Sequence, residues 1–136
     1  MDDTAIRKRV LITGATGYIG RRLTHRLLAD GAFDLRLMVR NARKVMVAVA
    51  DKVEIVEAST FEPESLTAAL EGIDTAFYLI HSMAGNEDYH RQDRISADNF
   101  RKAAIHAGVK RIIYLGGLGV KESASKHCLL YTSLSG

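Results

Sequence analysis

Cysteine occurs once in the 136 residues, at Cys128, so no internal disulfide framework can staple this fold. Proline also occurs once, at Pro63, and tryptophan is missing altogether. No apolar run approaches the ~18 residues that a membrane-spanning helix needs, so no membrane-spanning helix is expected. The first residues lack the long apolar core of a secretory leader, and the expected compartment is the cytoplasm. There is no internal repeat and no low-complexity linker. The only basic triplet, Arg7-Lys8-Arg9, has no stacking aromatics beside it, which argues against nucleic acid as a partner. Apolar residues, by contrast, make up 47% of the chain, ample for the core of one domain.

Charge is unevenly spread. Residues 1–50 hold ten basic and four acidic residues, whereas residues 51–136 hold nine and twelve. The positive half is the half that carries Val10-Leu11-Ile12-Thr13-Gly14-Ala15-Thr16-Gly17-Tyr18-Ile19-Gly20. This stretch opens as a short buried strand and closes into a helix, with Ile19, Leu23, Leu27 and Leu28 assigned to one face. Between them stand Gly14, Gly17 and Gly20. Strand, glycine turn and helix together form a phosphate cradle. Gly14 turns the chain, Gly17 lets a diphosphate approach the backbone, and Gly20 lets the helix pack closely. The free N–H groups of the first helical turn then face the phosphates.

The pattern continues as strands and helices in alternation. Strands are predicted at 35–39, 53–56, 75–80 and 111–115. Helices are predicted at 42–49, at 63–70 with Pro63 in the first position, and from Gly85-Asn86 to about Ala107. In the long helix Ile95, Asn99, Phe100, Ala103 and Ala107 are assigned inward. Asp30-Gly31, Glu71-Gly72 and Gly108 read as stops. Alternation of this kind predicts a parallel sheet with helices on both faces. Ligands of such sheets bind beyond the carboxyl ends of the strands. That rule selects the glycine loop, Arg40, Ala58 to Thr60, His81-Ser82 and Gly116-Gly117.

Thr13-Gly14-x-x-Gly17-x-x-Gly20 resembles the short-chain dehydrogenase/reductase superfamily. The form Gly14-Ala15-Thr16-Gly17-Tyr18-Ile19-Gly20 is similar to its extended and atypical branches, the NmrA-like NAD(P)-binding proteins and sugar-nucleotide epimerases. The resemblance runs from about Lys8 to about Gly119. It implies an α/β fold, a Rossmann-type doubly wound sheet of five parallel strands in the order 3-2-1-4-5. It also implies a dinucleotide cofactor touching Gly14, Ala15, Thr16, Gly17, Tyr18, Ile19, Gly20, Arg40, Ser59, Thr60, Ile80 and His81. NAD-specific sites place a carboxylate at the end of the second strand, and none lies between Leu35 and Ala50. Arg40 there suits a 2′-phosphate, with Arg43 and Lys44 close by, so NADP(H) is favoured over NAD(H). Ser59 stands where the family often has an aspartate at the adenine edge. Asn99 falls where the superfamily has a structural helix asparagine.

The reductases of the superfamily use Tyr-x-x-x-Lys, and none of the tyrosines, Tyr18, Tyr78, Tyr89, Tyr114 or Tyr131, has a lysine four residues on. Gly116-Gly117 replaces the usual serine pair. His81 can titrate near neutral pH, but a lone histidine is more often a packed or positioning group, so the catalytic residue stays unknown. No metal site is read. The expected organisation is a Rossmann domain over 1–125 and a tail over 126–136, poorly ordered or non-native. The expected function is the NADP(H)-binding half of an atypical oxidoreductase, inactive by itself, with an unknown small-molecule substrate and an unknown oligomeric state. A non-catalytic dinucleotide-binding module, sensing redox state or stabilising a complex, is the alternative.

Overall fold

The computed structural model describes residues 7–45, 47–80 and 87–115. Five strands form one sheet: β1 (Lys8–Thr13), β2 (Phe33–Val39), β3 (Glu54–Glu57), β4 (Thr75–Tyr78) and β5 (Arg111–Tyr114). Every pairing is parallel and the order is β3-β2-β1-β4-β5. Around it lie α1 (Tyr18–Asp30), a 3-10 turn (Ala42–Lys44), α2 (Val47–Ala50), α3 (Pro63–Leu70) and α4 (Glu87–Ala107). The doubly wound fold expected from alternation is the fold observed.

Strand alternation sorts the core into two layers. Val10 and Ile12 of β1, with Leu35, Leu37 and Val39 of β2, face Leu23, Leu27 and Leu28 of α1 and Val49 of α2. Leu11 and Met38 point the other way, into a cluster with Leu66 and Leu70 of α3 and Phe100 and Ala104 of α4. Both faces of the central strands are therefore dry, as a parallel sheet requires.

Several boundaries shift. Strand β2 begins at Phe33 instead of residue 35, because β1 pairs with it from Lys8↔Phe33 onward. Strand β3 lies one residue later than predicted, β4 stops at Tyr78 and β5 at Tyr114. The helix expected over 42–49 is two pieces, a 3-10 turn and the short α2. Pro63 opens α3 at its predicted position. Gly31 and Gly108 adopt φ of +77° and +81°, the left-handed conformation that ends α1 and α4.

Two inward assignments are corrected. Ile19 is 46% exposed, since α1 seats Gly20, Leu23, Thr24, Leu27 and Leu28 against the sheet instead. Ile95 is 45% exposed, and the inward place beside it belongs to Ser96, which is buried. His81-Ser82, Gly85-Asn86, Gly116-Gly117, Cys128 and the 126–136 tail lie outside the described residues.

Candidate functional site

The carboxyl ends of β1, β2 and β3 bring together the glycine loop, Arg40 and the Ser59-Thr60 loop. Strand β1 leaves the sheet through Gly14, whose φ is +65°. A Cβ there would also stand 3.2 Å from the Leu79 carbonyl oxygen. Thr13, fully buried, fixes this exit. Its hydroxyl donates to the Phe77 carbonyl at 2.9 Å and accepts from the Leu79 N–H at 3.1 Å. Thr13 thus ties β1 to the far end of β4, a role that sequence reading missed. The partners are more than sixty residues away, so no local signal marks it.

The loop then closes on itself: the Gly17 N–H donates to the Gly14 carbonyl at 3.1 Å. Gly17 is the N-cap of α1, and no side chain caps that end. The Gly17 carbonyl takes its first helical bond from the Arg21 N–H at 2.9 Å. Geometry leaves the N–H groups of Tyr18, Ile19 and Gly20 without acceptors inside the helix. No acidic residue lies in that first turn. The helix end is therefore electropositive and uncapped by the chain's own side chains, as an anion site requires. Gly20 presses against the loop: a Cβ would lie 2.1 Å from the Gly14 oxygen and 2.8 Å from the Ala15 Cα. The close packing assigned to Gly20 is thus against the glycine turn itself. Tyr18 is exposed, and the Arg22 guanidinium sits 4.5 Å over its ring.

Arg40 is exposed just beyond β2. The 3-10 turn after it is held at both of its first donors. Asn41 accepts from the Arg43 N–H at 3.0 Å, and Glu57, at the end of β3, accepts from the Ala42 N–H at 2.9 Å. Arg43 and Lys44 ride on this turn. A small cavity of about 20 Å³, about the room for one water, lies between α1 and the turn. Ala15, Thr16, Arg21, His25 and Lys44 are among the residues that line it. A larger hollow of about 640 Å³ sits at the opposite, amino end of the strands, among Arg7, Arg9, Arg36 and Lys52. Ligands of doubly wound sheets bind at the other end, where the glycine loop lies.

Ser59 makes a turn of its own. Its hydroxyl accepts from the Phe61 N–H at 3.1 Å, and the Ser65 hydroxyl bonds both its N–H and its carbonyl. Thr60 is buried and its side chain faces inward, where Ser96 donates to it at 2.6 Å. Asn99 donates to the Thr60 carbonyl at 2.8 Å, which gives the helix asparagine a defined structural partner. The Tyr78 hydroxyl lies 2.5 Å from the same Ser96 oxygen. Burial pushes the Tyr78 phenol up to about 12, and the charge of Asp93 adds to the rise. Burial also raises Tyr114, which stacks on Tyr78 with 4.8 Å between ring centroids. These phenols stay neutral and structural near pH 7. Ile80, half-buried, packs against the α3–α4 cluster, and His81 lies outside the described residues. Among the described residues no group of three His, Cys, Asp or Glu is placed to hold a metal ion. None of their helices is long and apolar enough to cross a membrane.

The geometry has counterparts among known proteins. The NAD(P)H-binding family matches residues 14–134. A (4-alkanoyl-5-oxo-2,5-dihydrofuran-3-yl)methyl phosphate reductase of Streptomyces griseus is 30% identical over 113 residues, covering 83% of this chain and 36% of the relative. An NmrA-like family domain-containing oxidoreductase of Aspergillus japonicus is 31% identical over 114 residues, covering 79% and 34%. The triphenylmethane reductase of a Citrobacter species, solved with NADP(H), superposes with a TM-score of 0.71 at 29% identity, covering 93% of this chain and 44% of that one. The chain thus spans about a third of the length of the curated relatives it matches.

Proposed function

The chain belongs to the NAD(P)H-binding family, and on that premise we propose that it is the NADP(H)-holding domain of an atypical short-chain reductase-like protein. One observation carries the reading: an uncapped helix N-terminus behind a glycine turn, at the sheet's carboxyl edge, with Arg40 exposed beside it. The residues present fit the cofactor. The N–H groups of Tyr18 to Gly20 would take the diphosphate, and exposed Gly17 would let it come close. Arg40 would hold the 2′-phosphate through its forked donors, and the Ser59-Thr60 loop would border the adenine. When bound, the nicotinamide supplies hydride exchange with a carbonyl or similar group. This chain's own part is to bind and orient, because it contains no Tyr-x-x-x-Lys to pass a proton. That same lack favours, as a second reading, a module that binds the dinucleotide without turning it over. Failure of the purified chain to oxidise NADPH with any carbonyl acceptor is expected under both readings. A Tyr-x-x-x-Lys in sequence adjoining this stretch would favour the enzyme.

The test is a matched calorimetric titration of NADPH and NADH at fixed salt, with the parent and Arg40→Asp. A charge-assisted contact is worth ~1.5–3 kcal/mol, which implies a preference for NADPH on the order of ten- to a hundredfold. The variant should lose or reverse it. Equal binding of both cofactors by the parent, or an Arg40→Asp ratio that does not move, sinks the NADP(H) assignment.

A further inference from the structure

We infer that Glu57 is a positioning residue that sets the preference between the two dinucleotides, by holding the turn that follows Arg40 and carries Arg43 and Lys44. The inference rests on the NADP(H) reading above and deepens it. Sheet register places Glu57 directly beside Val39, the last residue of β2. The Ala58 N–H bonds the Val39 carbonyl at 3.0 Å, so the two strand ends are locked together. From there the Glu57 Oε2 accepts the Ala42 N–H at 2.9 Å. That donor is the first of the 3-10 turn and finds no acceptor within the turn itself. The next, on Arg43, goes to Asn41 Oδ1 at 3.0 Å. Those on Lys44 and Val45 bond back to the Asn41 and Ala42 carbonyls at 3.1 and 3.2 Å. All four N–H groups are satisfied. Three are satisfied within the segment, and the Ala42 bond ties the segment to β3.

The chemistry of the turn explains the need for such a tie. Arg40, Arg43 and Lys44 crowd three positive charges into five residues. Like charges at this spacing repel, and an untied exposed loop would spread them apart. A carboxylate oxygen at the base of the turn fixes, through its bond to the Ala42 N–H, the backbone from which the cations reach. A phosphate then meets a site whose ordering has already been done, and its affinity gains accordingly. The linear sequence gives the corner no carboxylate between Leu35 and Ala50, but strand order supplies one from β3.

Two variants separate holding from charge. Glu57→Gln keeps an oxygen that can accept the Ala42 N–H and loses the negative charge. Glu57→Ala loses both. Glu57 is exposed, so both variants should fold, and unchanged amide exchange in β1 would confirm it. The measurements are residue-resolved exchange at Ala42 to Val45 without cofactor, and titration with NADPH and NADH at fixed salt. For Glu57→Ala we expect exchange at these amides about tenfold faster, and an NADPH preference reduced on the order of five- to tenfold, the net weight of one hydrogen bond of ordinary strength. Glu57→Gln should keep slow exchange and bind NADPH as tightly as the parent or about twofold tighter, the scale of one screened surface charge. Glu57→Ala with an unmoved preference overturns the inference, whatever the exchange. So does a lost preference with unmoved exchange. In both cases the parent still prefers NADPH, so the cofactor reading survives. A parent without that preference refutes the cofactor reading and this inference together.

Discussion

Gly20 offers the most stringent test of the glycine turn. Alanine at this position is a helix-former replacing a poor one, and propensity alone would make the protein more stable by about 1 kcal/mol. The structure predicts the opposite sign. The new Cβ would lie 2.1 Å from the Gly14 oxygen, 2.8 Å from the Ala15 Cα and 2.9 Å from the Gly14 carbonyl carbon. All three are backbone atoms, and none can swing aside as a side-chain end would. The nearest is more than an ångström short of ordinary contact. Relief requires α1 to retreat, which would lift Leu23, Leu27 and Leu28 from Val10, Ile12 and Leu37. The turn could give way instead, but Gly14 is held by its φ of +65° and by the Gly17 N–H, which bonds its carbonyl at 3.1 Å. Overpacking costs about 1–3 kcal/mol and occasionally more, and an unyielding obstacle puts this case at the upper end. After the propensity gain, a net loss of about 2 kcal/mol remains, a fall of roughly 8 °C in Tm for a domain of this length.

The assay is paired thermal and urea unfolding, with Gly17 as the internal control. At Gly17 the φ is −79°, an ordinary value, and a Cβ would stand 3.3 Å from the Gly14 oxygen, which a few tenths of an ångström relieve. Gly17→Ala should therefore stay within about 1 kcal/mol of the parent, in the range of a mildly crowded site. Gly17→Val should still fold but lose dinucleotide affinity, because the exposed N-cap is where a diphosphate would approach. Gly20→Ala as stable as the parent would refute the reasoning: the helix would then have to be free to move, and the close seat of α1 would not define the site.

Arg36 is 8% exposed, and its Nη1 donates to the Ala69 and Glu71 carbonyls at 2.7 and 2.9 Å while Nε meets Glu54 at 3.0 Å. Arg36→Ala should cost about 2–4 kcal/mol in urea unfolding, since it strips the end of α3 of its donors, and a loss below 0.5 kcal/mol would deny it that role. Tyr78 is neutral in the fold up to about 12, whereas an unfolded tyrosine ionises near 10. The folded pKa is the higher, so its stabilisation is complete below pH ~10 and is lost as pH rises toward 12. Stability measured from pH 8 to 11.5 should fall more steeply in the parent than in Tyr78→Phe, and parallel curves would show the phenol is not protected.

Local signals made much of this architecture legible. Pro63 fixed a helix start, Gly31 and Gly108 fixed two ends, and the apolar run from Val10 to Ile12 before three spaced glycines marked the turn. These depend on neighbours in sequence, so pattern suffices. What could not be read depends on partners brought in by the sheet. Arg36 sits in a run of apolar strand residues, and nothing nearby shows that it reaches the end of α3. Glu57 looks like a strand-end charge until strand order sets it beside Ala42. Helical periodicity set Ile95 inward by hydrophobicity, whereas the fold chose Ser96, because the buried hydroxyls of Tyr78 and Thr60 needed a polar partner more than the core needed a methyl.

That choice bears on the departure at Ser59. The family resemblance leads one to expect an aspartate at this place, and here a serine makes the turn. The Ser59 hydroxyl is engaged with the Phe61 N–H, which makes the turn. The loop's position is fixed from two other directions. Outside, Ser65 bonds the Ser59 N–H and carbonyl. Inside, Asn99 holds the Thr60 carbonyl and Ser96 holds its hydroxyl. Ser96 and Asn99 lie three apart on α4, so one helix face grips both ends of a single residue. A buried network satisfied in this way specifies one arrangement, since a slip of α4 would leave several polar groups unpaired at 1–3 kcal/mol each, by the usual cost of about that size. The edge proposed to border the adenine is accordingly a main-chain edge set by α4, and it does not require a carboxylate at residue 59 to keep its shape.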